Sequence, residues 1–326
     1  MIIIRQADKN DIDKIMDFIG KHWNSNHILS KNKAFFEWMY VEEKDCNFIV
    51  AYDDKTEQLI GIEGFIKYNS SDTPDIAGNM WKVLKSDNPL LGMDVGKKLY
   101  EILTPRCDVA PGVNKKAMKI NEILGYKVGK LEHWYIPGIC KEYKIASINT
   151  PIQRKENIGN IFLDRVTDKE TLWKVLDDTI LRENTPYKDL KYIQHRFMDH
   201  PIYHYDLWYE KNIRNLIIVG REINYNNAKA YKIVDIIGDF TRLESLLEGL
   251  YTILYDNSYE FIDLYEFGIE DSILRNAGFY NIEDGKDIIP NYFAPFVKEN
   301  IDIYFASSKS ENLYIFIGDG DQDRPN

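Results

Sequence analysis

A recurrence sets the first limit on how this chain can fold. A helix that ends in a glycine, an aromatic residue and a strand, ILGYKVG at Ile123–Gly129, returns as ILRNAGFYN at Ile273–Asn281, about 150 residues later. The elements leading to each copy follow the same order. Before the first come a strand over Met1–Ala7, a helix capped by Asp8 or Asn10 with Ile12, Ile15, Met16 and Ile19 on one face, and an aromatic helix at Ala34–Tyr40. A hairpin follows over Cys46–Tyr52 and Leu59–Tyr68, then a strand Met80–Leu84, a helix to Leu103, a short strand within Thr104–Gly112, a helix Asn114–Leu124 closed by Gly125, and a strand Tyr126–Ile136. Before the second come a strand Asn160–Arg165, helices Lys169–Leu181 and Leu190–Met198, a hairpin Tyr205–Glu222, a strand Tyr231–Ile237, a helix with Leu243, Leu246, Leu247, Leu250 and Leu254 on one face, and a strand Phe261–Tyr265. The expectation is a divergent duplication of one α/β domain with a mixed, mostly antiparallel central sheet. Its copies would span residues 1–137 and 158–326, joined by a connector over 138–157 that is rich in charge and holds Pro151.

Charge and cysteines narrow the class. The chain of 326 residues carries a net charge of −11, which argues against a nucleic-acid partner and against an anionic membrane surface. No stretch approaches the roughly 18 apolar residues of a membrane span. The start, MIIIRQADKN, lacks the plan of a signal peptide, and Cys46, Cys107 and Cys140 are too few and too scattered for a disulfide framework, so a cytoplasmic protein is expected. His195, His200 and His204 are split by Pro201 and lack a completing Cys or Glu, so no metal site is expected there. The acidic tail at Gly318–Asn326 lacks the Glu-terminated loop of a calcium site; it reads as a solvated end, or as a segment folded back so that Arg324 meets a phosphate.

The stretch Leu84–Leu103 carries the clearest chemical signal. It runs from a strand through a Pro- and Gly-containing bend into a helix whose Val95, Leu99, Ile102 and Leu103 share a face. The helix begins among Gly92, Asp94 and Gly96, with few bulky side chains around its first turn. Free N–H groups and the positive end of the helix dipole suit such a start to an anion, most often a phosphate. The corresponding stretch of the second copy, Asp235–Tyr251, passes through Gly238-Asp239 with no glycine-rich bend.

These residues resemble the GNAT superfamily of acyltransferases. Ile4-Arg5-Gln6-Ala7 with Asp11 and Ile15 is similar to the start of such a domain, and Leu91-Gly92-Met93-Asp94-Val95-Gly96 falls where the superfamily holds the pyrophosphate of acyl-coenzyme A on backbone N–H groups. Its last glycine matches; Leu91 replaces the basic residue and Asp94 the first glycine. Asn114, Ala117, Gly125 and Tyr126 match a later segment at the family spacing, with Asn114 implied as a contact of the pantetheine arm. The tyrosine that often protonates the leaving thiolate falls on Asn121. The resemblance implies acyl-CoA as cosubstrate, no metal, and a second domain that has lost the cofactor and walls the acceptor pocket. More narrowly, the pair of domains with His22-Trp23 and Asn26–Leu29 resembles bacterial nucleotide-sugar N-acyltransferases. These place acetyl or 3-hydroxybutanoyl groups on the amine of a dTDP-linked amino-deoxy sugar for O-antigen or capsule.

The chemistry needs an unprotonated amine, a polarised thioester carbonyl and a proton for the thiolate. His27, Glu63 and Asp108 are the candidate proton acceptors, and backbone N–H groups from Leu84 to Ser86 the candidate carbonyl donors. Trp38, Trp81 and Trp134 are candidates to line the acceptor pocket, with Arg324 for a phosphate. Two other readings stay open: a GNAT enzyme acting on a peptide or small-molecule amine, and a non-catalytic binding protein made of decayed GNAT domains. Acyl chain, sugar and oligomeric state are open.

Overall fold

The computed structural model describes residues 1–150 and 162–325, so the expected connector beyond Thr150 and the start of the expected strand at Asn160 lie outside the described residues. The chain forms two compact units, Met1–Ala110 together with the chain end from Arg324, and Pro111–Asp323. Both are mixed α/β with mostly antiparallel strands. No helix among the described residues is long and apolar enough to cross a membrane.

The first unit runs β1 (Ile2–Asp8), α1 (Ile12–His22), α2 (Lys33–Tyr40), β2 (Asp45–Asp53), β3 (Gln58–Lys67), β4 (Asp75–Val83), α3 (Leu91–Leu103) and β5 (Cys107–Pro111). β1 to β4 pair antiparallel in chain order, and β5 joins β4 in parallel. At the end of β1, buried Asp11 accepts from Arg5 at 2.7 Å and from Tyr52 at 2.8 Å, fixing where the strand turns into α1. The apolar face of α3, Leu91, Val95 and Leu99, closes over Ile49, Ala51, Ile60, Phe65 and Ile76. Each such side chain contributes about 1.5–3 kcal/mol of burial, enough to hold the helix start at a fixed place over the sheet.

Two irregularities shape β4, which starts at Asp75 rather than at Met80. Its parallel pairing with β5 has three rungs, Asp75↔Cys107, Ile76↔Asp108 and Ala77↔Val109, and ends there. Beyond, its register with β3 slips between Gly64↔Asn79 and Ile62↔Lys82, so Met80 and Trp81 together oppose Glu63. Met80 takes a φ of 51°, a left-handed backbone rare for a bulky residue, as a β-bulge allows. The bulge re-aims β4 where its pairing with β5 has stopped, leaving a wedge between the two strands.

The second unit holds α4 (Lys115–Ile123), β6 (Lys127–Lys130), β7 (Glu132–Pro137), α5 (Lys169–Val175), β8 (Asp206–Tyr209), β9 (Leu216–Tyr225), β10 (Ala228–Gly238), α6 (Leu247–Asp256), β11 (Phe261–Phe267), β12 (Tyr280–Asn281), β13 (Tyr304–Ser307) and β14 (Ile315–Phe316). The main sheet has the order β12-β7-β11-β10-β9-β8. The single strand expected over Tyr126–Ile136 is two, broken at Leu131, whose N–H donates to Ile303 at 2.8 Å. β6 pairs with β13, whereas β7 lies between β11 and β12, so both pieces of the first sequence repeat's last strand pair with strands of the second. The helix expected over Lys169–Leu181 stops at Val175, because Asp177 caps a new turn at Asp178–Leu181.

The acidic tail is not a solvated end. Asp319, Asp321 and Asp323 are buried. Lys188 Nζ lies 2.8 Å from Asp319 and 2.6 Å from Asp235, and Arg221 lies 2.7 Å from Asp323. Basic side chains waiting in the interior draw the tail in.

Candidate active site

The wedge of the first unit brings two sequence-predicted carboxylates together. Glu63 stands on β3 opposite the bulge, and Asp108 occupies the middle rung of β5, 7% exposed. Glu63 Oε2 is enclosed and has no hydrogen-bond partner among the described residues. A Cβ on Gly96 of α3 would stand 3.5 Å from that oxygen, and one on Gly78 of β4 would stand 3.1 Å from Asp108 Oδ1. Tyr100 donates its hydroxyl to Asp108 Oδ2 at 3.1 Å. Burial, and then the negative charge of Asp108, push the Glu63 carboxyl up to about 8. At neutral pH it therefore holds a proton, and a cation arriving beside it would release that proton.

The start of α3 is the second half of the site. Leu90 provides no side-chain cap, so the N–H groups of the first turn, Gly92 and Met93 among them, have no intrahelical carbonyl. Asp94 points away from them: its Oδ2 accepts from Asn88 Nδ2 at 2.7 Å. Asn88 Oδ1 in turn accepts from the Leu90 N–H at 2.9 Å, and the Asn88 N–H donates to Ser86 Oγ at 3.2 Å, so Ser86 shapes this loop. Trp81 Nε1 donates to the Gly92 carbonyl at 3.2 Å, and the ring lies 3.2 Å from where a Cβ on Gly92 would be, so a side chain there would crowd the ring. Leu91 and Val95 are buried in the core, and any part they take in binding is through the backbone; Met93 is exposed.

Several expectations need correction. The Leu84 N–H donates to Ile60 at 2.8 Å and so is no free donor for a carbonyl. Trp134 lines no pocket in the first unit; it is fully buried in the core of the second and donates to Glu266 at 3.1 Å. His27 is buried, and its Nδ1 accepts from the Leu29 N–H at 3.2 Å, the role of a cap on one helical turn. Trp38 stacks on Phe35, with centroids 5.5 Å apart. Asn114 and Asn121 lie in the second unit. Asn114 Oδ1 caps α4 by accepting from Lys116 and Ala117 at 3.0 Å each, and Asn121 Nδ2 donates back to the Ala117 carbonyl at 3.1 Å. Arg324 is half-buried and groups with the first unit. Tyr100 and Gly78 are the residues that sequence reasoning missed. A signal existed for Tyr100, since Gly92, Gly96 and Tyr100 recur every fourth residue along one stripe of α3.

No protein-family model matches the chain, and no curated protein sequence matches it. Solved structures do. A GCN5-related N-acetyltransferase from Anabaena variabilis superposes with a TM-score of 0.58 at 8% identity, over 94% of this chain and 72% of that one. The fold is that of the GNAT acetyltransferases. A conserved Enterococcus faecalis protein of unknown function, described as a probable N-acyltransferase, gives 0.56 at 9% identity over 96% and 73%. The glucosamine N-acetyltransferase region of a fungal β-N-acetylglucosaminidase gives 0.50 at 10% over 94% and 38%.

The GNAT-like sheet of the second unit has no recognisable cofactor loop. After β10, Asp239 turns its carboxylate onto the Thr241 N–H at 3.2 Å, and Phe240 is buried against Tyr314.

Proposed function

We propose that the protein is an acyl-CoA-dependent N-acyltransferase with one working site, in the first unit. The observation that carries this is the wedge: an uncapped helix start for the pyrophosphate beside two enclosed carboxylates for the amine. The amine attacks the thioester carbonyl directly; its N–H proton passes to Glu63 once that carboxyl is ionised, the C–S bond breaks, and the thiolate leaves. A thiol has a pKa of about 8.5, so the leaving group needs little help and the asparagine at position 121 is tolerable. Backbone groups around the Met80 bulge are the donors we assign to the carbonyl oxygen, in place of Leu84. The sequence repeat over 158–326 supplies acceptor-pocket walls or structure, and 138–157 connects.

For the acceptor, the first reading is the amine of a dTDP-linked amino-deoxy sugar, with an acetyl or 3-hydroxybutanoyl donor in O-antigen or capsule synthesis. It rests on the sequence resemblance, and the fungal structural relative is named as a glucosamine N-acetyltransferase region, so its acceptor too is an amino sugar. A second reading is a small cationic amine. It is favoured by the Glu63–Asp108 pair, where no basic group offsets burial and repulsion at Glu63. Both place an amine, and not a phosphate, beside Glu63 and Asp108. The test is thiol release from acetyl-CoA and 3-hydroxybutanoyl-CoA across dTDP-amino sugars and simple diamines. Saturable release with one class selects it, and no release with either sinks the enzyme reading. Gly96→Asp adds a third carboxylate beside Glu63 and should weaken coenzyme A binding about a hundredfold by calorimetry, roughly 2.7 kcal/mol. Unchanged affinity would mean that the cofactor lies elsewhere.

A further inference from the structure

The two enclosed carboxyls of the first wedge differ in what touches them. Glu63 Oε2 has no hydrogen-bond partner among the described residues, and Gly96, whose Cβ would stand 3.5 Å away, offers it no side chain. Four residues on, about 6 Å further along α3, Tyr100 does offer one: its hydroxyl donates to Asp108 Oδ2 at 3.1 Å. A phenol has a single O–H, so this proton is spent on Asp108 and is not held out to a leaving thiolate. Among the described residues, the other elements around the pair direct no charge at it. β2 sets Ile49 opposite Glu63, and β4 sets Ile76 beside Asp108 and then Gly78. The acids of α3 are turned elsewhere, Asp94 to Asn88 at 2.7 Å and Glu101 to Lys98 at 3.1 Å.

The donor's chemistry matters because it is neutral. Two carboxyls that repel one another ionise in turn, and the first to ionise is the one that a donor stabilises as an anion. In the second wedge the middle-rung aspartate, Asp263, meets the Lys232 ammonium at 2.6 Å, which supplies a donor and cancels the charge together. Tyr100 supplies the donor alone. The charge on Asp108 is therefore held in place and still felt at Glu63, whose carboxyl is pushed up to about 8 by burial first and by that charge second.

We propose that Tyr100 is a positioning residue for the acyl transfer: its hydroxyl makes Asp108 the standing anion of the pair and leaves Glu63 as the carboxyl that exchanges the proton. The use of that proton rests on the acyl-transfer reading; the division between the two carboxyls does not. Carbon-13 NMR of the full chain, labelled at the Asp and Glu carboxyls and assigned with Asp108→Asn and Glu63→Gln, reads both groups. Asp108 Cγ should titrate in a separate, lower step than Glu63 Cδ. Tyr100→Phe should raise the Asp108 step by about one unit, a tenfold change in its proton affinity, with Glu63 still carrying the upper step. Asp108→Asn should lower the Glu63 step by about half a unit or more. The proposal is overturned by an upper step carried by Asp108, by an Asp108 step that Tyr100→Phe leaves in place, or by a Glu63 step that Asp108→Asn leaves in place. Thiol release by the wild type keeps the two ideas apart. These titrations without release sink the acyl-transfer reading alone, and release with the carboxyls in the opposite order sinks this proposal alone.

Discussion

The two sheets hold the same wedge and treat it in opposite ways. In each, a parallel pair of three rungs meets at the centre, and an aspartate occupies the middle rung: Asp108 beside Ile76 in the first, Asp263 beside Lys232 in the second. Asp263 is paired through Oδ2, with Lys232 Nζ at 2.6 Å and His133 Nε2 at 3.1 Å. The chain then fills that wedge itself. β14 pairs with Glu266 and Phe267 on β11, the Ile317 N–H donates to Tyr265 at 3.2 Å, and the Gly318 N–H reaches across to Val234 on β10 at 2.7 Å. In the first sheet the middle-rung aspartate meets Tyr100 and a second carboxyl, and the glycines at 78 and 96 leave space over both. One wedge has been converted into core. The other keeps a buried carboxyl in an unfavourable state, the kind of local cost that persists where a site must receive a ligand.

The largest expected effect comes from equalising the first wedge. Glu63→Gln removes the proton acceptor we propose and should lower kcat by about 10²- to 10⁴-fold, read as thiol release. Stability should move the other way. The folded-state pKa of Glu63 lies above its unfolded value, so its native proton stabilises at low pH, and that contribution is lost as pH rises towards about 8. The variant should therefore match the wild type in chemical denaturation near pH 4 and exceed it at pH 8. A variant less stable at pH 8 would mean that Glu63 is a structural residue and the two wedges differ less than described.

Unlocking the second wedge should cost nearly as much. Lys188→Met leaves Asp235 and Asp319 facing one another in the interior, where burial, only partly offset by Lys188, already pushes the Asp235 carboxyl up to about 7. Losing one partner of a buried pair costs about 3–5 kcal/mol, measurable by urea denaturation. Adding Asp319→Asn should recover part of it. A loss below 1 kcal/mol would show that apolar packing of Phe316, and not the charge lock, seats the tail.

Much of this contrast was legible in the residues, and the remainder was hidden for physical reasons. Periodicity gave the α3 face and the hairpins, because burial on one side of a helix or strand writes itself into spacing. The glycines at 92 and 96 marked the helix start. The bulge was not visible, since Met80 has no residue-level reason to take a positive φ; neighbouring strands impose it. The tail misled because Asp319, Asp321 and Asp323 look solvated until Lys188, Arg196 and Arg221, more than a hundred residues away on average in sequence, are seen to bind it. Asp108 and Glu63 could be picked out singly, but their mutual repulsion belongs to the sheet register.

The smallest effect separates capping from cofactor contact at Asn114. The fourth helix of the first repeat is capped by the Asn114 side chain, whereas its counterpart, Asp271–Asn276, starts from Glu270 with no side-chain cap. If the asymmetry reflects helix stability alone, Asn114→Ser should preserve both Tm and coenzyme A affinity, because serine caps about as well as asparagine, and Asn114→Ala should cost about 0.5–2 kcal/mol of stability. Serine lacks the amide Nδ2, the donor left once Oδ1 is spent on the helix. A serine variant with normal Tm but a severalfold weaker grip on coenzyme A would assign Nδ2 to the pantetheine arm. The difference between the repeats at this helix would then be functional, like the difference between their wedges.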